Sequence, residues 1–138
     1  MTMNHEQTGS AKLIKLTVIL AVCGILVIGA MLMPKGFKDD LSLIGQGSVS
    51  VVLVHNKELV DSTIMMELLN SVRSDYAGKV DFLAVDIATP IGQMFIQKQR
   101  VGVIDLVIFA PNGSRQGVLN NGVSEQQLRS VLDEALSP

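Results

Sequence analysis

The hydrophobic pattern divides the chain into a polar start, one long apolar run and a region of shorter apolar segments. Residues 1–11 are polar, and residues 16–33 read LTVILAVCGILVIGAMLM without a charge. As a helix this run is about 27 Å long, close to the hydrocarbon thickness of about 30 Å, and lysines flank it on both sides. The pattern predicts a single transmembrane helix over residues 12–34, preceded by a polar tail.

A cleaved signal peptide is the main alternative, because its apolar core also lies near the N-terminus. Such a core is normally shorter and ends at a small-x-small site, which Ile28 and Ala30 match poorly. The residues before Cys23 resemble a lipoprotein processing site, but Val22 is bulky and the apolar run continues past it. The pattern favours an uncleaved anchor in the lipid bilayer.

Strand and helix patterns alternate after a predicted linker at residues 35–47, within a predicted domain at residues 48–138. Residues 48–55 and 79–88 are β-branched or almost continuously apolar, which is typical of strands covered on both faces. Residues 105–110 form a third such run. A Pro-Asn-Gly turn then leads into a predicted fourth strand at residues 115–119.

Three amphipathic helices are predicted between and after these strands. The first spans Thr63 to Tyr76 at helical spacing, with Asp61 or Ser62 as its N-cap. Thr89 is the predicted N-cap of the second. The apolar face of that second helix comprises Ile91, Met94, Phe95 and Val101. A capping box, VSEQQL at residues 123–128, opens the third helix.

The element order is strand, helix, strand, helix, hairpin, helix. Two parallel strands joined by a right-handed crossover, followed by an antiparallel hairpin, form a mixed sheet with helices on both faces. The sequence therefore predicts an α/β domain with a central mixed four-stranded sheet in the order β-α-β-α-β-β-α, preceded by the transmembrane helix.

Three segments of this domain resemble thioredoxins. VRSDYAGKVDFLAVDIA is similar to the segment that leads from the first helix into the next strand, VIFAPNGS to the hairpin, and VSEQQLRSVLDEAL to the final helix. The resemblance covers about residues 48–136 and rests on the succession of elements rather than on one motif. It implies a thioredoxin-like fold.

The resemblance also implies that the redox chemistry of the family is missing here. The Cys-x-x-Cys positions align with Leu59, Val60, Asp61 and Ser62, and Cys23 is the chain's one cysteine. That chemistry requires an acidic thiolate and a second, resolving thiol. The family's buried Asp aligns with Leu53, and its cis-proline aligns with Asp105. We therefore expect a redox-inactive domain that is not an enzyme and carries no cofactor.

The sequence gives only weak indications of metal binding or of another catalytic activity at these positions. His55 ends the first strand near Glu58 and Asp61, but no second nitrogen or sulfur ligand is in range, so we expect a solvated histidine and no metal site. Asp105 either faces solvent, caps a neighbouring helix or meets a basic residue of a partner. A diverged enzyme that uses His55 or Asp105 remains an alternative.

Two sets of residues predict protein contacts. Leu59, Val60, Asp61 and Asp105 lie where the family binds its substrates. Thr17, Ala21 and Gly24 form a small-residue stripe on the membrane helix, at a spacing that permits close helix packing. Met65, Met66 and Met94 occur at helical spacing and are expected in the core rather than on a binding surface.

The charge of the chain restricts the kinds of partner that it can bind. The formal net charge is −2 and the soluble region has no basic stripe, which argues against nucleic acid. Lys12 and Lys15 before the apolar run nearly balance Lys35 and Lys38 after it, so the positive-inside rule leaves the orientation of the helix open. By analogy with anchored thioredoxin relatives, we expect the soluble domain outside the cytoplasm.

These observations favour a non-catalytic accessory subunit that docks other membrane-protein subunits through its helix and its thioredoxin-like domain. A peptide-binding assembly factor or chaperone for membrane or periplasmic proteins is the alternative. An apolar groove beside Leu59 and Val60 would favour the assembly factor, whereas a groove filled by side chains would favour the docking subunit.

Overall fold

The computed structural model describes residues 7–32 and 36–138, which form two compact units. In the first unit, α1 spans Gln7–Leu32 and includes a stretch, Gly9–Met31, long and apolar enough to cross a membrane. A signal sequence near an N-terminus would meet the same criterion. Residues 1–6 of the predicted tail and residues 33–35, at the predicted boundary of helix and linker, lie outside the described residues.

The second unit contains four strands and three helices after a short 3₁₀ turn at Leu41–Leu43. In chain order these are β1 (Val49–His55), α2 (Val60–Arg73), β2 (Val80–Asp86), α3 (Pro90–Gln99), β3 (Leu106–Phe109), β4 (Arg115–Leu119) and α4 (Glu125–Leu136). The predicted order of elements is confirmed.

One mixed sheet joins the strands in the order β2-β1-β3-β4. β1 pairs with β2 in parallel, from Val49 opposite Val80 to His55 opposite Asp86, while β3 is antiparallel to both β1 and β4. The parallel pair requires a crossover, which α2 supplies, whereas the hairpin turn is enough between β3 and β4. The predicted α/β class and mixed four-stranded sheet are therefore confirmed.

Two apolar clusters fill the two faces of the sheet. Alternate residues of β1 separate them, because successive strand side chains point to opposite faces. On one face Val51 and Leu53 pack with residues of α2 and α4, including Leu69 and Leu132. On the other face Val52 and Val54 join Leu83, Phe95, Val107 and Phe109 beneath α3. This double burial explains why all seven positions of β1 are buried.

The segment before β1 is part of the domain rather than a free linker. The Lys38 carbonyl accepts a hydrogen bond from the Ala84 N–H at 2.9 Å, and this bridge covers the outer edge of β2. The Gly47 N–H donates to the Pro111 carbonyl at 3.0 Å, beside the β3–β4 turn. Between these two hydrogen bonds, Leu41, Leu43 and Ile44 pack against the apolar cluster that lies beneath α3. We name residues 38–47 the entry segment.

Local signals for two of the helices proved accurate. Thr89 caps α3 by accepting from the Gly92 N–H at 3.1 Å, with Pro90 at the first turn. Ser124 and Gln127 form the reciprocal capping box of α4. These bonds satisfy backbone donors that helix geometry leaves without a partner.

Several local expectations were wrong. Neither Asp61 nor Ser62 caps α2; the N-cap is Leu59, without a side-chain bond, and the helix begins at Val60. Met94 and Ile91 were expected in the core, yet 69% and 56% of their surfaces are exposed. Met65 is buried as expected, and Met66 packs partly against the core. α3 therefore turns Phe95 inward and leaves an apolar outer side.

Gly92 sets how closely α3 approaches β2, which yields a prediction. A Cβ atom at this position would overlap the Asp86 carbonyl oxygen, a backbone atom that cannot move aside. Gly92→Ala should therefore destabilise the domain by about 1–3 kcal/mol, as overpacking typically does.

Denaturant unfolding of the full chain in mild detergent would measure this effect. The near-UV circular dichroism of Tyr76, the chain's one tyrosine, reports on the domain because that side chain is buried and no tryptophan is present. Gly117→Ala is the matched control, since a Cβ there meets nothing within 4 Å. Equal stability of the two variants would contradict the predicted close contact.

Candidate functional site

One edge of the sheet gathers the residues that the sequence singled out. Parallel β1 and β2 both end at this edge, at His55 and Asp86, while antiparallel pairing brings the start of β3 and the end of β4 to it. α2 and α3 begin just beyond the ends of β1 and β2. Asp105 precedes β3, and Asn120 follows β4. We name this place the site edge.

The loop from β1 to α2 is held by local hydrogen bonds. Asn56 accepts from the Glu58 N–H through Oδ1 at 3.0 Å, and its own N–H donates to Ser62 Oγ at 3.0 Å. Ser62 is buried because its hydroxyl reaches back to the strand end in this way. The serine that sequence reasoning assigned to capping therefore holds the loop.

Asp105 is a structural residue within the site edge. Its Oδ2 accepts from the Gly102 N–H at 2.7 Å, and its Oδ1 accepts from Asn120 Nδ2 at 2.9 Å. Both carboxylate oxygens thus bind groups of the same domain. Of the open alternatives for Asp105, neither bare solvent exposure nor helix capping describes this arrangement.

These bonds hold a backbone conformation that is costly for the residue next to Asp105. Ile104 has φ of 73°, in the left-handed region that a β-branched side chain rarely adopts. The Ile104 N–H donates to the Val54 carbonyl at 2.7 Å, and the Asp105 carbonyl accepts from the Val54 N–H at 3.1 Å. A strain of about 1–3 kcal/mol persists only where the surroundings over-determine it. β1 and the Asp105 carboxylate do so here.

Adjacent asparagines tie two of the predicted contact residues into one surface. Asn120 binds Asp105, and Asn121 Nδ2 donates to Asp61 Oδ2 at 3.2 Å. The loop from β4 to α4 is thereby linked both to the loop before β3 and to the first turn of α2. Sequence reasoning missed both asparagines; their position directly after a strand at this edge was the available signal.

Leu59 and Val60 are exposed beside this network. Their exposed fractions are 41% and 75%, and Ile64, one helical turn further along α2, is 58% exposed. Residues four apart on a helix lie on the same side, so Val60 and Ile64 form a continuous apolar surface. We name Leu59, Val60 and Ile64 the α2 patch. Ile64, an apolar residue of the predicted first helix, is thus part of this surface and not of the core.

A cavity of about 440 Å³ lies beside the Asn120–Asn121 loop. Its lining comes from the end of β4, from that loop and from α4, and does not include Leu59 or Val60. The α2 patch itself is an apolar surface rather than a wall of this cavity.

His55 differs from its expected solvated state. It is buried at the end of β1, opposite Asp86 on β2. Burial lowers its pKa, and the Lys57 charge lowers it further, against the opposing effect of Asp86. Lys57 Nζ lies 3.2 Å from Asp86 Oδ2, and the Ala88 N–H and Lys57 hold the pKa of Asp86 below its usual value.

The charges that act on His55 are therefore those of Lys57 and Asp86, whereas Asp105 is engaged by Gly102 and Asn120. Within residues 7–32 and 36–138, no group of three or more His, Cys, Asp or Glu side chains is arranged to hold a metal ion. The chain's one cysteine, Cys23, lies in α1 and not at the site edge.

Solved structures with a similar fold were found by comparison. A solution structure of a thioredoxin from Thermus thermophilus is similar with a TM-score of 0.63 at 18% identity, covering 74% of this chain and 87% of that one. The domain has a thioredoxin-like fold. A structure described as that of a malarial protein is similar with a TM-score of 0.57 at 16% identity, covering 65% of this chain and 99% of that one. These identities are low, so the likeness concerns the fold alone.

Comparison of the sequence with protein-family models gave no match, and comparison with curated protein sequences also gave none. The thioredoxin-like fold predicted from the three resembling segments is confirmed by the structural likeness.

Burial of His55 predicts a pH dependence of stability. The folded state disfavours the charged imidazole, so the folded pKa lies below the unfolded value of about 6.5. Between these two values the unfolded state binds more protons, and stability therefore rises with pH. Stability should be fully present above about pH 6.5 and decrease as the pH falls from there towards the folded pKa.

The unfolding free energy of the full chain and of His55→Gln should be measured between about pH 5 and 7.5, on either side of the unfolded pKa. The slope in this window should be smaller in His55→Gln, whatever its absolute stability. His5 is present in both proteins, so its contribution cancels. Identical slopes would show that His55 titrates alike in both states.

The Asp105 bonds yield a second prediction. Asp105→Ala removes two hydrogen bonds that hold the strained loop and should cost about 1 kcal/mol of stability or somewhat more. Asp61→Ala, the control, removes one longer, exposed bond and should change stability by less than about 0.5 kcal/mol. Tyrosine near-UV circular dichroism during denaturant unfolding would compare them. A larger loss in Asp61→Ala would reverse the assigned roles.

Proposed function

We propose that this protein is a non-catalytic, membrane-anchored subunit whose thioredoxin-like domain docks a protein partner through the site edge. The α2 patch is the observation that carries the proposal. Three apolar side chains, Leu59, Val60 and Ile64, are exposed at the start of α2, where the fold of thioredoxins presents its thiols. Isolated exposed apolar residues are ordinary, but a contiguous group beside an ordered polar network is typical of a contact surface.

The surroundings of the patch support docking rather than chemistry. Asp61, Asn121, Asp105 and Asn120 are bonded to one another in pairs, so they form a fixed polar margin beside the apolar residues. An apolar centre with an ordered polar rim is the usual anatomy of a protein interface. No thiol is present at the site edge to attack a disulfide, which supports a redox-inactive role.

A peptide-binding assembly factor would need an open channel between α2 and the β4–α4 loop. The Asn121–Asp61 bond links these two elements, and side-chain atoms thus occupy the space between them. This favours a flat docking surface over a groove for an extended peptide.

α1 supplies the proposed anchor, with the domain outside the cytoplasm as an expectation by analogy. Its described side chains are exposed, as suits a helix in lipid. Thr17 Oγ1 donates to the Leu13 carbonyl at 2.9 Å, so its polar group is satisfied within the helix. A Cβ on Gly24 would meet nothing within 4 Å, which leaves the stripe of Thr17, Ala21 and Gly24 open to a partner helix.

Val60→Asp tests the docking surface. An unpaired carboxylate in an apolar contact must be desolvated, so partner recovery should fall about tenfold or more. Asn70→Asp adds the same charge at another exposed position of α2 and should leave the recovery of the partner unchanged. Each variant is extracted from native membranes in mild detergent, and co-purifying chains are quantified by mass spectrometry. Unchanged near-UV circular dichroism would confirm folding.

Equal recovery of the same partner chains with Val60→Asp and with the control would refute docking through the α2 patch. The intact mass of the purified chain tests the anchor in the same preparation. An uncleaved chain has a mass of 14.8 kDa, whereas removal of the apolar segment as a signal would lower it.

A further inference from the structure

A second apolar surface lies on the opposite face of the sheet, outside the site edge. It is a groove of about 800 Å³ between α3 and the entry segment. Six apolar residues line it: Leu41, Ile44, Ile91, Met94, Phe95 and Phe109. Phe95 and Phe109 form the buried floor and contact each other edge to face, with ring centroids 6.2 Å apart. Ile91 and Met94 form an exposed wall on α3.

The cations near this groove cluster at one end of it. Lys98 is the one charged residue of the lining, and the acidic residues of the entry segment, Asp39 and Asp40, precede the lining residue Leu41. Lys98 lies in the groove lining, one turn beyond Met94, and Arg100 ends α3. Arg115 Nη1 donates to the Gln99 carbonyl at 2.6 Å, which fixes a third cation at the same end of the helix. The exposed apolar side chains of α3 are therefore followed by three cations, of which one lies in the helix, one is its C-cap and one belongs to β4. Apolar side chains beside cations are the combination that binds anionic membrane surfaces.

Covalent geometry limits how far the entry segment can lie from the end of α1. Four residues separate Leu32, the last of α1, from Phe37, and extended chain spans at most about 3.6 Å per residue, or about 18 Å here. The next residues form the entry segment, whose Leu41 and Ile44 make the second wall of the groove. Phe37 itself packs against the apolar cluster of α2 and α4, and the chain then passes through the entry segment to the groove.

We propose that the α3 groove face is a membrane-contact surface, with Ile91 and Met94 inserted at the headgroup–acyl boundary of an anionic lipid bilayer. Lys98, Arg100 and Arg115 then face lipid phosphates. This inference rests on the membrane anchor of the proposed function, but not on the α2 patch. Insertion of apolar residues and attraction to anionic lipid act together, so neither alone needs to hold the domain on the surface.

Nitroxide labels at single cysteines test this in protein-free nanodiscs of mixed phosphatidylcholine and phosphatidylglycerol. The full chain supplies its native Cys23 as a label site within α1. Two further chains carry Cys23→Ser with either Met94→Cys or Ile64→Cys. Power saturation with oxygen and a nickel chelate then reports the depth of each label. The position-94 label should have a several-fold higher oxygen-to-nickel accessibility ratio than the position-64 label, which should remain aqueous.

The Cys23 label separates failure of the inference from failure of the anchor. If that label lies in lipid while the position-94 label is as aqueous as the position-64 label, the membrane-contact surface is refuted and the anchor stands. If the Cys23 label is also aqueous, both are refuted. Protection of position 94 in native membranes but not in protein-free nanodiscs would assign the face to a protein partner and overturn the lipid proposal.

A charge reversal tests the role of the cations. Lys98→Glu with Arg100→Glu, in the chain labelled at position 94, should lower the accessibility ratio in anionic nanodiscs. The same pair should have a smaller effect in nanodiscs of phosphatidylcholine alone, where no net lipid charge attracts the cations. Equal effects in both bilayers would refute recognition of anionic lipid. Both side chains are exposed, so the folded domain should tolerate the change.

Discussion

The burial of β1 on both of its faces is the constraint on which the rest of the domain depends. A strand covered on both sides needs a helix layer on each side, and its parallel partner β2 can be reached only by a crossover. α2 and α4 cover one face, while α3 and the entry segment cover the other. The same parallel pairing brings the ends of β1 and β2 to one edge. The site edge is thus a consequence of how β1 is buried.

Hydrogen bonds between polar side chains organise that edge. The Asp105 carboxylate and the β1 backbone together hold Ile104 in a left-handed conformation, and Asn121 joins the neighbouring loop to α2. These bonds connect loops that are far apart in the sequence. Beside them, Leu59, Val60 and Ile64 form an exposed apolar surface.

Much of the fold was predictable because its signals are local. The continuous apolar run of β1, the Pro-Asn-Gly turn and the capping box at Ser124 each depend on neighbouring residues. The start of α2 was not, because Ser62 prefers to bond Asn56 rather than to cap the helix. His55 was expected in solvent, yet its pairing opposite Asp86 makes it the last buried residue of β1. The roles of Asp105 and the two asparagines depend on strands that meet only in three dimensions.

The error over Met94 is the most informative, because helical spacing identifies an apolar face but not what covers it. α3 has apolar residues on two sides. Phe95 and Ile96 contact the apolar cluster between α3 and the sheet, whereas Ile91 and Met94 are exposed. A soluble helix rarely keeps two such sides without a second contact. The α2 patch and the α3 groove lie on helices that cover opposite faces of one sheet. A bilayer on the α3 side would therefore leave the α2 side accessible to a protein partner, so one small domain can serve both contacts at once.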